Sequence, residues 1–280
     1  MAKRSGVWIT RTIRAGNVGE KIKYFLPDGA GRGKSGGTPT RDQRRRLERA
    51  EKKAEGSAVR TLARLLNANW PGGAGVLLGL DYTPGRLERV LERAGAGALF
   101  FSADEIRDRI RAAAEQELRL ALRRARRKTD RDLRYVAITS DMDGDSGEPV
   151  RVHHHIVCDP ETAEAIRAAW DADSVHAEPL NARQEDHTPV AAYLLRQVRR
   201  IPDAKKYTPS RNLERPVPRD RIAQGPAQLR VPSGDRLIES RADHGGRVQY
   251  LRYVIGGAKK PGRTREDPDE TDGEPFGNPP

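Results

Sequence analysis

At 280 residues the chain is long enough for one substantial domain with appendages, and its single cysteine, Cys158, excludes an intrachain disulfide framework and a cysteine-rich zinc site. Hydrophobic residues make up 36% and charged residues 33%, so a core must be concentrated in a few strands and helices. The 52 Lys and Arg against 40 Asp and Glu leave a net charge of +12, which favours a polyanionic partner, nucleic acid or an acidic membrane surface; no apolar run approaches the ~18 residues of a membrane span, and MAKRSGVWITRTIR lacks the apolar stretch of a secretory signal, which points to the cytoplasm.

Residues 30–37 (AGRGKSGG) form a Gly-rich basic loop, and Thr40, with Gln43 at capping-box spacing, opens a highly charged helical stretch towards Asn67. GRGKS has the look of a phosphate-binding loop, but that motif needs a preceding buried strand and a second spacing glycine, a pattern Gly29, Gly31, Gly33 and Lys34 do not supply. GVLLGLDY, residues 75–82, reads as a buried strand ending in the turn TPG; the pattern from there to Phe101 is mixed. Ser102 and Glu105 cap a long helix whose apolar positions Ile106, Ile110, Ala114, Leu118, Leu122 and Ala125 recur at helical spacing. Its Arg-rich end, 123–128, suits a helix C-terminus and also suits DNA. Runs 135–141 and 150–158, separated by the loop MDGDSGEP, predict an antiparallel hairpin. A helix over 160–171 follows, then one from Thr188 and Pro189 to about residue 200. Past Pro216 the chain is Pro-punctuated, with a strand candidate at 248–255 and a Pro-rich acidic end from Glu266 that is expected to be disordered.

Strand residues alternate faces, so His153 and His155 in RVHHHIVCD project together and can share a cation, while His154 projects with Val152 and Ile156 and reads as packing. If the Val136/Ile138 face of the preceding strand coincides with the Val152/Ile156 face, Thr139 and Asp141 lie beside the two histidines; the same parity directs Asp81 away from Val76, Leu78 and Leu80. Asp81 and Asp141 are the carboxylates best placed to complete a site for Mg²⁺ or Mn²⁺, and each also has a plain reading as the end of a strand. Tyr193 flanks the helical stripe Val190, Leu194, Val198 and Ile201 in company with Arg196, Gln197 and Arg200. A phenol attacks a phosphodiester only when it loses its proton and the phosphate charge is neutralised; a cation and arginines meet the second need, and no residue stands out for the first.

The linear order of these pieces resembles the rolling-circle replication initiators of phages, plasmids and integrative elements, within the HUH endonuclease superfamily. The matching segments are GVLLGLDY, LRYVAITSD, RVHHHIVCD, IRAAW, YLLR and KKYTPSRNLERP, supported by ITRTIRAGNVGEKIKYF and LLNANW; YTPSRNLERP is the most specific. The resemblance implies an α+β fold whose central antiparallel β-sheet, an HUH or RRM-like catalytic core, is flanked by helices. The domain boundaries it suggests are a basic N-terminal extension with a helix (1–60), the catalytic domain (61–216), a small C-terminal extension (217–256) and an acidic tail (257–280). Carried over by position, it makes His153 and His155 metal ligands, with Asp141, preferred over Asp81, substituting for the acidic ligand, and Tyr193 the nucleophile that forms a 5′-phosphotyrosyl link at an origin, with Arg196 beside it. The chain departs from the pattern where relatives carry an acidic residue, here Thr139, and where they carry Lys three residues after the Tyr, here Arg196. Lys205, Lys206, Tyr207, Ser210, Arg211 and Asn212 either track a DNA backbone, with Tyr207 stacking on a base, or brace the active-site helix. The implied partners are single-stranded origin DNA and a host helicase and polymerase, with no membrane. Two other roles use the same residues: a non-catalytic relative that binds an origin or promoter, and a relaxase for conjugative mobilisation.

Overall fold

The computed structural model describes residues 6–27, 56–97, 101–181, 184–199, 201, 204–223, 225–243 and 247–256. The Gly-rich loop at 30–37, the Thr40/Gln43 capping box and the acidic tail lie outside the described residues. Within them the protein is α+β, with two five-stranded antiparallel sheets and five α-helices. No helix among the described residues is long and apolar enough to cross a membrane.

The central sheet has the order β6 (Val175–Pro179), β3 (Val76–Leu80), β5 (Pro149–Cys158), β4 (Tyr135–Met142), β7 (Thr208–Pro209). Its two faces are both covered. On one, Leu78, Leu80, Ala137, Val152 and Ile156 pack against α2 (Pro84–Ala94), α3 (Ala103–Thr129) and α4 (Pro160–Ala169) through Val90, Ala114, Leu118 and Ile166. On the other, Val136, Ile138 and Val157 pack against α1 (residues 56–69) and α5 (Thr188–Arg196) through Leu62, Leu66, Ala191 and Leu194. Strands apolar on both sides, such as VAI in β4 and IVC in β5, are what a doubly covered sheet requires.

The local signals for the helices hold. Ser102 accepts from the Glu105 amide while the Glu105 carboxylate accepts from the Ser102 amide, and α3 ends where Asp130 turns left-handed at φ 51°. The mixed segment after TPG is α2, with Pro84 in its first turn and Gly95 at φ 65° beyond its last. In the Arg-rich end of α3, Arg124 reaches Glu117, Arg126 reaches Asp132 and Lys128 donates to the Ala168 carbonyl, so part of that charge ties the helix to its neighbours. Helix α5 stops short of residue 200 because the Gln197 carbonyl accepts from the amides of Asp141 and Met142, at 3.1 and 3.2 Å, where β4 bulges.

The second sheet is made from both ends of the chain, in the order β8 (Arg219–Ala223), β1 (Gly6–Ala15), β2 (Val18–Pro27), β10 (Val248–Val254), β9 (Arg236–Asp243). The N- and C-terminal extensions, separate in sequence, are thus one structural unit. It docks on α1: Glu20 takes a two-pronged bond from Arg64 at 2.9 and 2.7 Å, and the β1–β2 turn closes on the end of the helix. There Gly16, at φ 57°, comes so near that an added Cβ would lie 2.2 Å from the Asn67 carbonyl oxygen.

Candidate functional site

Antiparallel partners directly opposite one another project to the same face, so the β4–β5 register decides what surrounds each histidine. Ser140 stands opposite His153, Ile138 opposite His155, and Thr139 opposite His154. His153 and His155 therefore face α5, and His154 faces α3.

The Nε2 atoms of His153 and His155 lie 3.2 Å apart, and the side-chain oxygen Oε1 of Gln197 lies 3.3 and 3.1 Å from them. Gln197, the C-cap of α5, is buried, and its carbonyl anchored on the β4 bulge holds its side chain over β5. His153 Nδ1 is 3.0 Å from the Arg151 carbonyl, to which it donates; that tautomer leaves the Nε2 lone pair directed at the trio. Burial, reinforced by the neighbouring His153, lowers the pKa of His155 and favours its neutral, ligand-competent form. Gln197 Nε2, His155 Nδ1 and Ser140 Oγ are buried without hydrogen-bond partners around this point.

Adjacent ligands of an octahedral divalent ion with bonds of about 2.0–2.2 Å stand about 2.8–3.1 Å apart, so two imidazoles and an amide oxygen at the observed spacing fit a shared small cation. The negative end of the α5 dipole favours positive charge at the same place. Among the described residues no three His, Cys, Asp or Glu side chains cluster, so the third member of the trio is this amide and not a carboxylate.

Asp141 does not join the histidines. Its Oδ1 accepts from Arg111 Nη1 at 2.9 Å and from the Arg199 amide at 3.1 Å, and its Oδ2 lies 3.5 Å from Arg199 Nε. The expectation failed on parity: Val136 and Ile138 share the face of His153 and His155, while Val152 and Ile156 share the other, because both faces of the sheet are apolar. Asp81, two residues beyond Gly79, which pairs with His155, belongs to the histidine face; its carboxylate is 3.5 Å from His176 Nε2, and its charge acts to raise the His155 pKa against the effect of burial.

Tyr193 lies one turn before Gln197 on the same side of α5, its ring centroid 5.9 Å from that of His155 and nearly half of its surface exposed. Arg196 is exposed near the hairpin glycine Gly144 and has no ion-pair partner among the described residues. The two imidazoles, the amide and the exposed phenol thus lie on one side of the sheet.

His154 is a packing residue. Fully buried, it meets the Tyr82 hydroxyl at 2.8 Å through Nε2 and Thr139 Oγ1 at 3.1 Å through Nδ1, with the Trp170 ring edge-on at 5.7 Å. Burial holds its pKa down at about 3 and pushes the Tyr82 phenol up. Thr139 thus serves the α3 side of the sheet.

The segment carrying the expected DNA contacts divides. Ser210 exchanges two bonds with the Tyr135 backbone at 2.8 and 3.0 Å, and its hydroxyl donates to the Asn212 side chain, which itself donates to the Asp132 carbonyl. Glu214 pairs with Asn69 of α1 through its backbone. Asn212 is therefore a brace. Tyr207 is half-buried against the α1/α5 cluster, and burial raises its pKa. Lys205 and Arg211 are exposed and Lys206 is half-buried, all without ion pairs among the described residues.

Gln197 is the residue beside the two histidines that sequence reasoning passed over. The available signal was its position four residues after Tyr193, polar, next to the apolar stripe. The chain matches no protein-family model, no curated protein and no solved structure.

Proposed function

We propose that the protein is a divalent-metal-dependent endonuclease that nicks single-stranded DNA at a replication origin, with Tyr193 as nucleophile, in the manner of the rolling-circle initiators its motifs resemble. The observation that carries this reading is the convergence of His153 Nε2, His155 Nε2 and Gln197 Oε1 within 3.1–3.3 Å of one another, one helical turn from an exposed tyrosine. These three side chains would hold Mg²⁺ or Mn²⁺, which supplies charge neutralisation at the phosphodiester.

The chain's own residues account for the rest. The Tyr193 oxygen, on losing its proton, attacks phosphorus; the bond from phosphorus to the 3′-oxygen breaks, the 5′-phosphate stays on the tyrosine, and the 3′-oxygen leaves and takes up a proton as a hydroxyl that can prime synthesis. Arg196, exposed and without an ion-pair partner among the described residues, offsets phosphate charge, although a guanidinium cannot relay the phenolic proton. Lys205, Lys206 and Arg211 supply further positive charge for the DNA backbone.

The test is an adduct assay on stem-loop DNA from the protein's own replicon. Wild type with Mn²⁺ is expected to yield a covalent protein–DNA species and a free 3′-hydroxyl; Tyr193→Phe, or EDTA, is expected to abolish both while leaving DNA binding. A wild type that binds but forms no Tyr193-dependent adduct would establish the second reading, a non-cleaving origin-binding protein, which is favoured by one observation: no hydrogen-bond partner meets the Tyr193 hydroxyl among the described residues.

A further inference from the structure

The helix that carries Tyr193 and Gln197 is held at its N-terminal end by the sheet built from the two chain ends. Asp186, just before α5, is nearly buried; its Oδ1 accepts from the Thr188 amide at 3.1 Å, the Thr188 hydroxyl at 2.8 Å and Asn67 Nδ2 of α1 at 3.1 Å. Its Oδ2 lies 3.4 Å from Arg252 Nη1 of β10. The same guanidinium donates to the Thr188 hydroxyl and reaches Glu239 of β9 at 3.0 Å through Nη2. Glu239 and Glu20 stand opposite Arg252 on its two neighbouring strands. Arg236 of β9 makes a second link, to Glu185. Arg252 thus joins Glu239 of the terminal sheet to Asp186, whose carboxylate accepts from the Thr188 amide, and to Thr188, the first residue of α5.

We infer that Arg252 is a positioning residue for Tyr193: the terminal sheet fixes the start of α5 through Arg252 and Asp186, as the β4 bulge fixes its end through the Gln197 carbonyl. A nine-residue helix pinned at both ends presents a tyrosine and an amide at fixed places over β5; released at one end, it can tilt about the other. The terminal sheet then acts on the nicking site through α5. For its catalytic consequence the inference rests on the nuclease reading; its structural half does not.

Two measurements on the full-length protein test it. In hydrogen exchange, Arg252→Gln and Asp186→Asn are each expected to speed exchange of the α5 amides about tenfold or more while those of α3 stay as in wild type. Arg86→Gln serves as the control. It breaks a similarly buried pair with Glu117 at 3.0 Å on the opposite side of the central sheet, and is expected to leave α5 unchanged. In single-turnover nicking, Arg252→Gln is expected to lower the cleavage rate about tenfold to a hundredfold with single-stranded DNA affinity held within about twofold, and Arg252→Lys to recover part of the loss. Unchanged α5 exchange in Arg252→Gln overturns the clamp whether or not the protein cuts. Faster α5 exchange with an unchanged cleavage rate overturns the positioning role. No adduct from wild type, together with α5-specific acceleration of exchange in Arg252→Gln, removes the nuclease reading and leaves the clamp standing.

Discussion

Replacing Gln197 by Ala removes one of three donor atoms while leaving the backbone carbonyl that anchors the end of α5, so its effect on a cation is separable from its effect on the fold. In the native arrangement Oε1 lies 3.1 and 3.3 Å from the two imidazole nitrogens, the spacing of neighbouring ligands on one ion. Losing a group that only orients a ligand costs metal affinity about 10–100-fold, roughly 1.4–2.8 kcal/mol, and losing a ligand itself costs at least that. Gln197→Ala is therefore expected to weaken Mn²⁺ binding at least tenfold, and Gln197→Glu, which puts a carboxylate in the same place, to strengthen it by a similar factor. Mn²⁺ titration followed by electron paramagnetic resonance on the DNA-free protein reads both directly, without cleavage. Affinity in Gln197→Ala equal to wild type would refute the trio as a cation site, and a coincident loss in His153→Ala and His155→Ala alone would reduce it to the two histidines.

Asp141→Ala leaves Arg111 and Arg199 without their shared carboxylate, and with Arg111 only 8% and Asp141 only 11% exposed, the folded state should lose about 2–4 kcal/mol in urea unfolding; Mn²⁺ affinity is expected to stay within about twofold. A large drop in affinity with little loss of stability would restore Asp141 as a ligand. Lys205→Gln and Lys206→Gln should each flatten the dependence of log affinity for single-stranded DNA on log salt by about 0.7, and slopes identical to wild type would remove them from the DNA path. His154 has a folded-state pKa of about 3, below its ordinary value of about 6.5, so the unfolded chain takes up a proton first as the pH falls and stability drops through that window. Between pH 6.5 and 5 this costs about 2 kcal/mol, and His154→Gln, though less stable at pH 7, should show an acid limb shallower by that amount. Parallel stability profiles for the two proteins would contradict the buried neutral imidazole.

The sequence by itself determined what depends on neighbours in the chain. The capping pair Ser102 and Glu105, Pro160 and Pro189 in the first turns of α4 and α5, the β4–β5 hairpin and the common face of His153 and His155 all follow from local stereochemistry and strand alternation, and all stand in the fold. Which face of β4 meets those histidines was not a local matter. A strand apolar on one side reveals its inward face, but one covered by helices on both sides carries no such mark, and Asp141 was for that reason assigned to the wrong side of the sheet. The side chain that stands beside them comes instead from α5, whose end is set by a carbonyl captured at a bulge on β4. The terminal sheet is a stronger case: β1 and β10 belong together only because strands more than 200 residues apart share β2, so the pairing that puts Arg252 on Asp186 has no counterpart in any window of sequence. Local chemistry chose the elements and the pair of imidazoles; long-range packing chose what stands beside them.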